Sequence, residues 1–331
     1  MTANRYLLLS LLLLGVCGCA MEPDDERIVL KFPHITAPGT PKGQGAERLR
    51  TLIEERLGDR VVMEVYPSAQ LMNEDDAIEM LAFGEVQMIA PSLSKFDRLT
   101  RKFQVFDLPF LFPDLQSVEQ FQRGEVGQSL LAELTHKGFL GLAYWHNGMK
   151  QFGGPVPMRM PEDAEGLKFR IMESDVLEAQ ILALDANPQK MAFSEVYQAL
   201  QTGAIDAQEN TWSNNFSQKF FEVQPYFTES NHGYLGYLLL VNPGQWRKLP
   251  DDIRAELEAI IAEVTSEVNQ IATQVNQRDR ARILESGRSQ ILQPTEEELS
   301  AWRAVMRPVW DEFAHEIGTE IMAETPAGSI H

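Results

Sequence analysis

The segment from Pro250 to Ser286 limits the fold more than any other, because it carries a helical pattern of about 37 residues without a break. Pro250 opens it and Asp251 and Asp252 fall in the first turn, where proline and carboxylates suit a helix start. At roughly 1.5 Å per residue such a helix is about 55 Å long, longer than one domain of ordinary size. It is therefore expected to lie across two domains and brace them. Its apolar stripe is thin, made of Ile253, Leu257, Ile260, Ile261 and Val264, which favours an intramolecular brace over a coiled coil.

A chain of 331 residues is long enough for two hydrophobic cores. Strand-like and helix-like patterns alternate through Ile28 to Ile35, Gly45 to Leu57, Val61 to Tyr66, Asp75 to Ala82 and Val86 to Ala90. A second series follows: strand-like Leu167 to Ile171, helical Val176 to Leu184 and Phe193 to Gln201, and strand-like Ala204 to Ala207. This alternation predicts an α/β fold with a mostly parallel sheet and helices on both faces. Thr295 with Glu298 has the spacing of a capping box and predicts a last helix running to about Ala323.

Residues 1–20 read as an export signal: Arg5 is the positive start, Tyr6 to Val16 the apolar run, and Gly18-Cys19-Ala20 the small-residue exit. The run is shorter than the roughly 20 apolar residues that a bilayer span requires. Two endings stay open: lipidation of Cys19 as the first mature residue, which would tether the protein to a membrane, or cleavage after Ala20. Both cysteines lie in this segment, so no disulfide is expected in the mature chain.

A net charge of -19 with no cluster of Lys or Arg argues against a nucleic-acid partner. The chain has no HExxH, CxxC, GxSxG or P-loop pattern, and its six histidines are scattered singly. Gly43-Gln44-Gly45 opens a helix after a strand, but Arg48 stands where a dinucleotide fingerprint needs its third glycine. No metal, no cofactor and no catalytic constellation is expected, and the chain is read as a binding protein, not an enzyme.

The chemistry gathers between Gly141 and Trp212. Arg170 sits on the apolar strand Leu167 to Ile171, where a guanidinium is costly unless it meets a carboxylate. That carboxylate is either an internal partner or a ligand. Lys150, Asn210 and Trp212 fall near other strand ends, where ligands of α/β folds collect. Together they would offer a fork for one carboxylate, an ammonium for a second, an amide and an aromatic wall.

The order of local motifs resembles the solute-binding proteins of TRAP transporters, the DctP family, and above all its C4-dicarboxylate branch. The motifs are Ala90-Pro91-Ser92-Leu93-Ser94-Lys95-Phe96, Phe106-Asp107-Leu108-Pro109-Phe110, Gly148-Met149-Lys150, Gly166-Leu167-Lys168-Phe169-Arg170 and Gln208-Glu209-Asn210. The resemblance implies a two-domain periplasmic-binding-protein-like fold with a hinge, the long helix being shared between the domains. The expected division is 24–147 plus 236–275 for domain I and 148–235 plus 276–323 for domain II. It further implies that Arg170 pairs with a ligand carboxylate, that Lys150 marks the dicarboxylate branch, that Asn210 and Phe193 line the site, and that Ser92 touches the far end of the ligand. His34 and Trp212 are nominated beside them, with plain core packing as the alternative for each. The family usually has glycine after the aspartate of Asp206-Ala207-Gln208. The implied role is a monomeric periplasmic protein that binds succinate, malate or fumarate and delivers it to TRAP membrane permease subunits. The alternatives are another organic acid (a 2-oxo acid, lactate or a sugar acid) or a sensor component that presents its ligand to a receptor.

Overall fold

The structure, a computed structural model, describes residues 27–328. The readings of residues 1–20 as a signal and of Cys19 as a lipid site lie outside the described residues. Among the described residues, no helix is long and apolar enough to cross a membrane.

Strands β1 (Ile28–Pro33) and β2 (Val61–Tyr66) form a parallel pair. A larger sheet contains β3 (Met88–Ile89), β4 (Leu140–Gly154), β5 (Lys168–Ile171), β6 (Asn187–Lys190), β7 (Ala207–Asn210), β8 (Tyr226–Val241) and β9 (Gln290–Leu292). Its order is β3-β8-β4-β7-β5-β6, with β9 alongside β8. The fold is thus mixed α/β, and the expectation of a mostly parallel sheet is corrected. The β3–β8, β4–β8 and β4–β7 pairs are antiparallel, whereas β5–β6, β5–β7 and β8–β9 are parallel. The difference comes from β4 and β8, which are 15 and 16 residues long and run antiparallel from Leu140↔Val241 to Gly154↔Tyr226. Both are buried on both faces over most of their length, so neither shows the alternation that marks a half-exposed strand. Register shifts after Gly141, His146 and Lys150 bend β4.

The long helix covers Asp251–Ser286 and ends at Gly287, whose φ of 65° suits a left-handed cap. Its first half, through Val268, shares a core with β1, β2 and helix Pro41–Leu57. Farther along, Ile283 packs with Phe193, Phe220 and Phe227 in a different core. One rigid element therefore serves both lobes. Arg48 with Glu267 (2.9 Å), Arg56 with Glu263 (2.5 Å) and Arg60 with Asp252 line its contact with helix Pro41–Leu57. These pairs are partly exposed and contribute little each.

Two boundaries moved. The single last helix is three, Glu296–Met306, Pro308–Ile317 and Thr319–Ala323, because Pro308 cannot donate to the turn before it and Gly318 takes a φ of 111°. The capping box at its start is present: Glu298 N–H donates to Thr295 Oγ1 (3.2 Å) and Thr295 N–H to Glu298 Oε2 (2.7 Å). The strand expected at Ala204 to Ala207 lies three residues on, since Gly203 first closes helix Val196–Thr202 with a left-handed cap.

The bend of β4 at Asn147 and Gly148 is held by Asn276 of the long helix. Its Nδ2 donates to Asn147 O (2.7 Å), and its Oδ1 accepts Ser213 N–H (3.0 Å). A Cβ on Gly148 would stand 2.8 Å from that Nδ2, so glycine is what lets the helix approach. Asn276→Ala leaves a buried N–H without its partner and removes a donor from a buried carbonyl, and is expected to destabilise the protein by about 2 to 4 kcal/mol. Urea unfolding checks this, with a lower midpoint at unchanged slope.

Candidate ligand-binding site

A cavity of about 40 Å3 opens between two walls at the ends of strands. One wall carries Ser92 and Lys95 just after β3, the start of helix Glu74–Phe83, and Tyr237 of β8. The other carries Arg170 of β5, Asn210 at the end of β7, and Phe193. The walls meet where Ser92 Oγ lies 3.4 Å from Met172 Sδ. A larger groove of about 490 Å3 lies between helices Leu115–Arg123 and Glu125–Ala132 and the long helix. Its one cationic lining residue, Arg123, already pairs with Glu119 (2.6 Å), whereas the smaller cavity is lined by Arg170, Lys150 and Lys95.

Arg170 is 4% exposed. Its Nε and Nη2 both donate to Met191 O, at 3.0 and 2.8 Å, and the guanidinium lies 6.0 Å from the ring centroid of Phe193. Among the described residues it forms no ion pair, so the internal partner that the sequence left open is not there. The Met191 carbonyl fixes the plane of the group and leaves both protons of Nη1 and one of Nη2 unused, which is the edge that matches a carboxylate. Burial pulls the guanidinium down to about 10, against the favourable fields of Glu209 and Glu74. It is still fully charged at neutral pH.

Lys150 is differently placed. Its ammonium donates to Glu209 Oε1 at 2.6 Å, with both side chains almost wholly buried. Glu209 Oε2 takes His232 Nε2 (2.8 Å) and Gln180 Nε2 (3.2 Å), and the His232 ring stacks on Phe152 with centroids 3.6 Å apart. Burial acts to raise the Glu209 carboxyl, but Lys150 and His232 hold it well below the usual carboxylate range. Lys150 lines the cavity, yet its charge is already answered.

Asn210 accepts from Thr211 N–H and from Asn214 Nδ2 through its Oδ1 (3.0 and 2.8 Å), while its own NH2 has no partner among the described residues. The cavity thus brings together Arg170, Lys150, Asn210, Phe193 and Ser92. It does not bring in the other two. Trp212 packs against Phe227 and lies under Arg280, and His34 faces a separate cleft beside Lys42, bonded to Thr36. Sequence reasoning missed Glu209, Glu74 and Lys95. Glu209 lacked the signal that marked Arg170, because its strand reads Ala-Gln-Glu-Asn and lies beyond the strand expected there; only the structure shows it buried at all four positions.

Three buried histidines set the acid response. Burial pushes His34 down to about 3, with Lys42 adding to it, and His146 to about 4, with Arg123 adding; His232 is also lowered by burial. The unfolded chain therefore takes up these protons near 6.5, before the folded one does, so their stabilisation is present above that pH and lost as pH falls. Asp107 works the other way, because burial raises it to about 6, but it is one group against three. The melting point is expected to fall between pH 7 and pH 5 by several degrees, corresponding to a few kcal/mol. Calorimetry in this range checks the sign.

The family described as bacterial extracellular solute-binding protein, family 7 (DctP), matches residues 32–316. The chain is 47% identical to the C4-dicarboxylate-binding periplasmic protein DctP of Shewanella loihica, covering 88% of this chain and 87% of that one. It is also 47% identical to the protein of the same name from Rhodobacter capsulatus, over 92% of each. Among solved structures, a TRAP periplasmic solute-binding protein from Shewanella oneidensis with bound succinate superposes with a TM-score of 0.89 at 46% identity, over 90% of this chain and 98% of that one. One from Pseudomonas aeruginosa with bound L-malate gives 0.85 at 45%, over 86% and 99%. This chain therefore belongs to the DctP family of bacterial extracellular solute-binding proteins.

Proposed function

We propose that the protein binds a C4-dicarboxylate such as succinate, malate or fumarate outside the cytoplasm and delivers it to TRAP membrane permease subunits, without chemistry. The carrying observation is Arg170: a buried guanidinium with no ion-pair partner among the described residues, clamped by one carbonyl, with its carboxylate-matching edge unused in a small cavity. The relatives and neighbours that bind dicarboxylates support the choice of ligand.

In this reading one carboxylate of the ligand takes the free edge of Arg170, the NH2 of Asn210 fixes its orientation, Phe193 forms an apolar side, and Ser92 reaches it from the opposite wall. Lys150 and Glu209 form the floor, where they set the field without being consumed by the ligand. The lobes, 24–147 plus 236–275 and 148–235 plus 276–323, close because the ligand touches both only in the closed state, and it shifts that equilibrium by no more than the difference in contacts.

Thermal unfolding of the mature protein with succinate, malate, fumarate, 2-oxo acids, lactate and sugar acids tests the reading. A diacid at about 100 times its dissociation constant should stabilise by roughly 2.7 kcal/mol and raise the melting point by several degrees. A response confined to monocarboxylates or sugar acids overturns the ligand. Arg170→Lys keeps the charge but loses the planar fork, and is expected to weaken diacid binding by about 10- to 100-fold, Arg170→Ala by more. Titration calorimetry measures both; unchanged affinity in Arg170→Ala would refute the site.

A further inference from the structure

A diacid carries two charges, and the cavity leaves open which group answers the second. Three cations line it: Arg170, Lys150 and Lys95. Arg170 takes the first carboxylate. Lys150 keeps donors to spare, but its charge is already shared with the buried Glu209 carboxylate, from which it cannot move without leaving that group unpaired. Lys42 lies behind the ring of Tyr237, 3.8 Å from its centroid, and is bonded to Glu74 and the carbonyl of Ala90.

Lys95 differs from both. Its side chain is 10% exposed, while its partner Asp75, at 2.8 and 3.0 Å, is 53% exposed. Water can take over the solvation of Asp75 when the lysine swings away, so the exchange costs little. The position of Lys95 is also fixed. Its N–H donates to Ser92 O (2.9 Å), closing a turn that sets the two residues on one face of the wall, and Ser94 Oγ ties the same turn to Asp107 at 2.6 Å. Ser92 in turn touches Met172, which lies just past the end of β5 and lines the same cavity as Arg170. Arg170 and Lys95 thus face one small space from opposite walls.

We propose that Lys95 is the counter-ion of the second carboxylate and sets the preference for diacids over monoacids, an inference that rests on the dicarboxylate reading of the cavity. Asp75 holds the ammonium in place while the site is empty and yields it to the ligand as the walls close.

Calorimetric titration of the mature protein with succinate and with butyrate, its four-carbon monoacid counterpart, tests this. The wild type is expected to prefer succinate. Lys95→Gln should lose about 10- to 100-fold in succinate affinity and leave butyrate within about threefold, while Lys95→Arg keeps the preference. Asp75→Asn, which releases the ammonium from its resting partner, should bind succinate as tightly as the wild type or more tightly, and it reads the same question should Lys95→Gln fold poorly. A Lys95→Gln protein that keeps the full succinate preference overturns the inference and leaves the dicarboxylate reading intact. So does an Asp75→Asn protein that loses succinate affinity severalfold, because the ion pair would then act only as a structural unit. A wild type that does not distinguish the two acids overturns this inference together with the reading beneath it.

Discussion

Removing a guanidinium from water costs several kcal/mol unless a partner replaces the lost hydration, and the interior around Arg170 supplies only a carbonyl. The other cations of the region are answered one by one: Lys150 by Glu209, Lys42 by Glu74 and Lys95 by Asp75. Arg170 is left as the unanswered positive charge, and the arrangement of the strands keeps it so. β5 delivers it to the cavity from the second lobe, the loop at Met191 fixes its plane, and β7 sets Glu209 and Asn210 beside it with Glu209 committed to Lys150. The site thus lacks, among the described residues, an ion-pair partner for one buried guanidinium.

That deficit explains how an acidic protein can hold an acidic ligand. At a net charge of -19 the overall field repels a dianion, and screening confines this repulsion to roughly 8 to 10 Å at ordinary ionic strength. Capture therefore depends on contact inside a cavity from which most water is excluded, where a carboxylate and a guanidinium interact far more strongly than at the surface.

Much of this was legible from the sequence where a local signal exists. The long helix, β2 and the Thr295 box were read within a residue because periodicity, β-branched runs and cap chemistry are properties of neighbouring residues. The antiparallel pairing of β4 with β8 was not, because the partners lie about 70 to 100 residues apart in the chain and both strands are apolar on two faces. Pro308 carries a local signal for the break in the last helix that the sequence reading did not use. At the site, Arg170 was legible as a charge on an apolar strand. The engagement of Lys150 by Glu209 was not, since nothing local says which of 48 carboxylates a lysine will meet. Trp212 was nominated as an aromatic wall near a strand end and His34 beside the residues the resemblance implies; Trp212 instead packs with Phe227, and His34 faces a separate cleft.

On the proposed binding mode, the same buried charge that would capture the ligand would also govern its release. While the walls meet at Ser92 and Met172, the cavity has room for little water, and a ligand bond to Arg170 would be strong there. When the lobes part, water reaches the guanidinium and the effective dielectric rises, so the attraction falls by several-fold without any change in the residues that make it. Arg170 does not then face an unpaired burial, because the opened cleft hydrates it. A partner that only pulls the lobes apart would thus convert a tight complex into a weak one, and delivery would need no displacement of the ligand by a competing group.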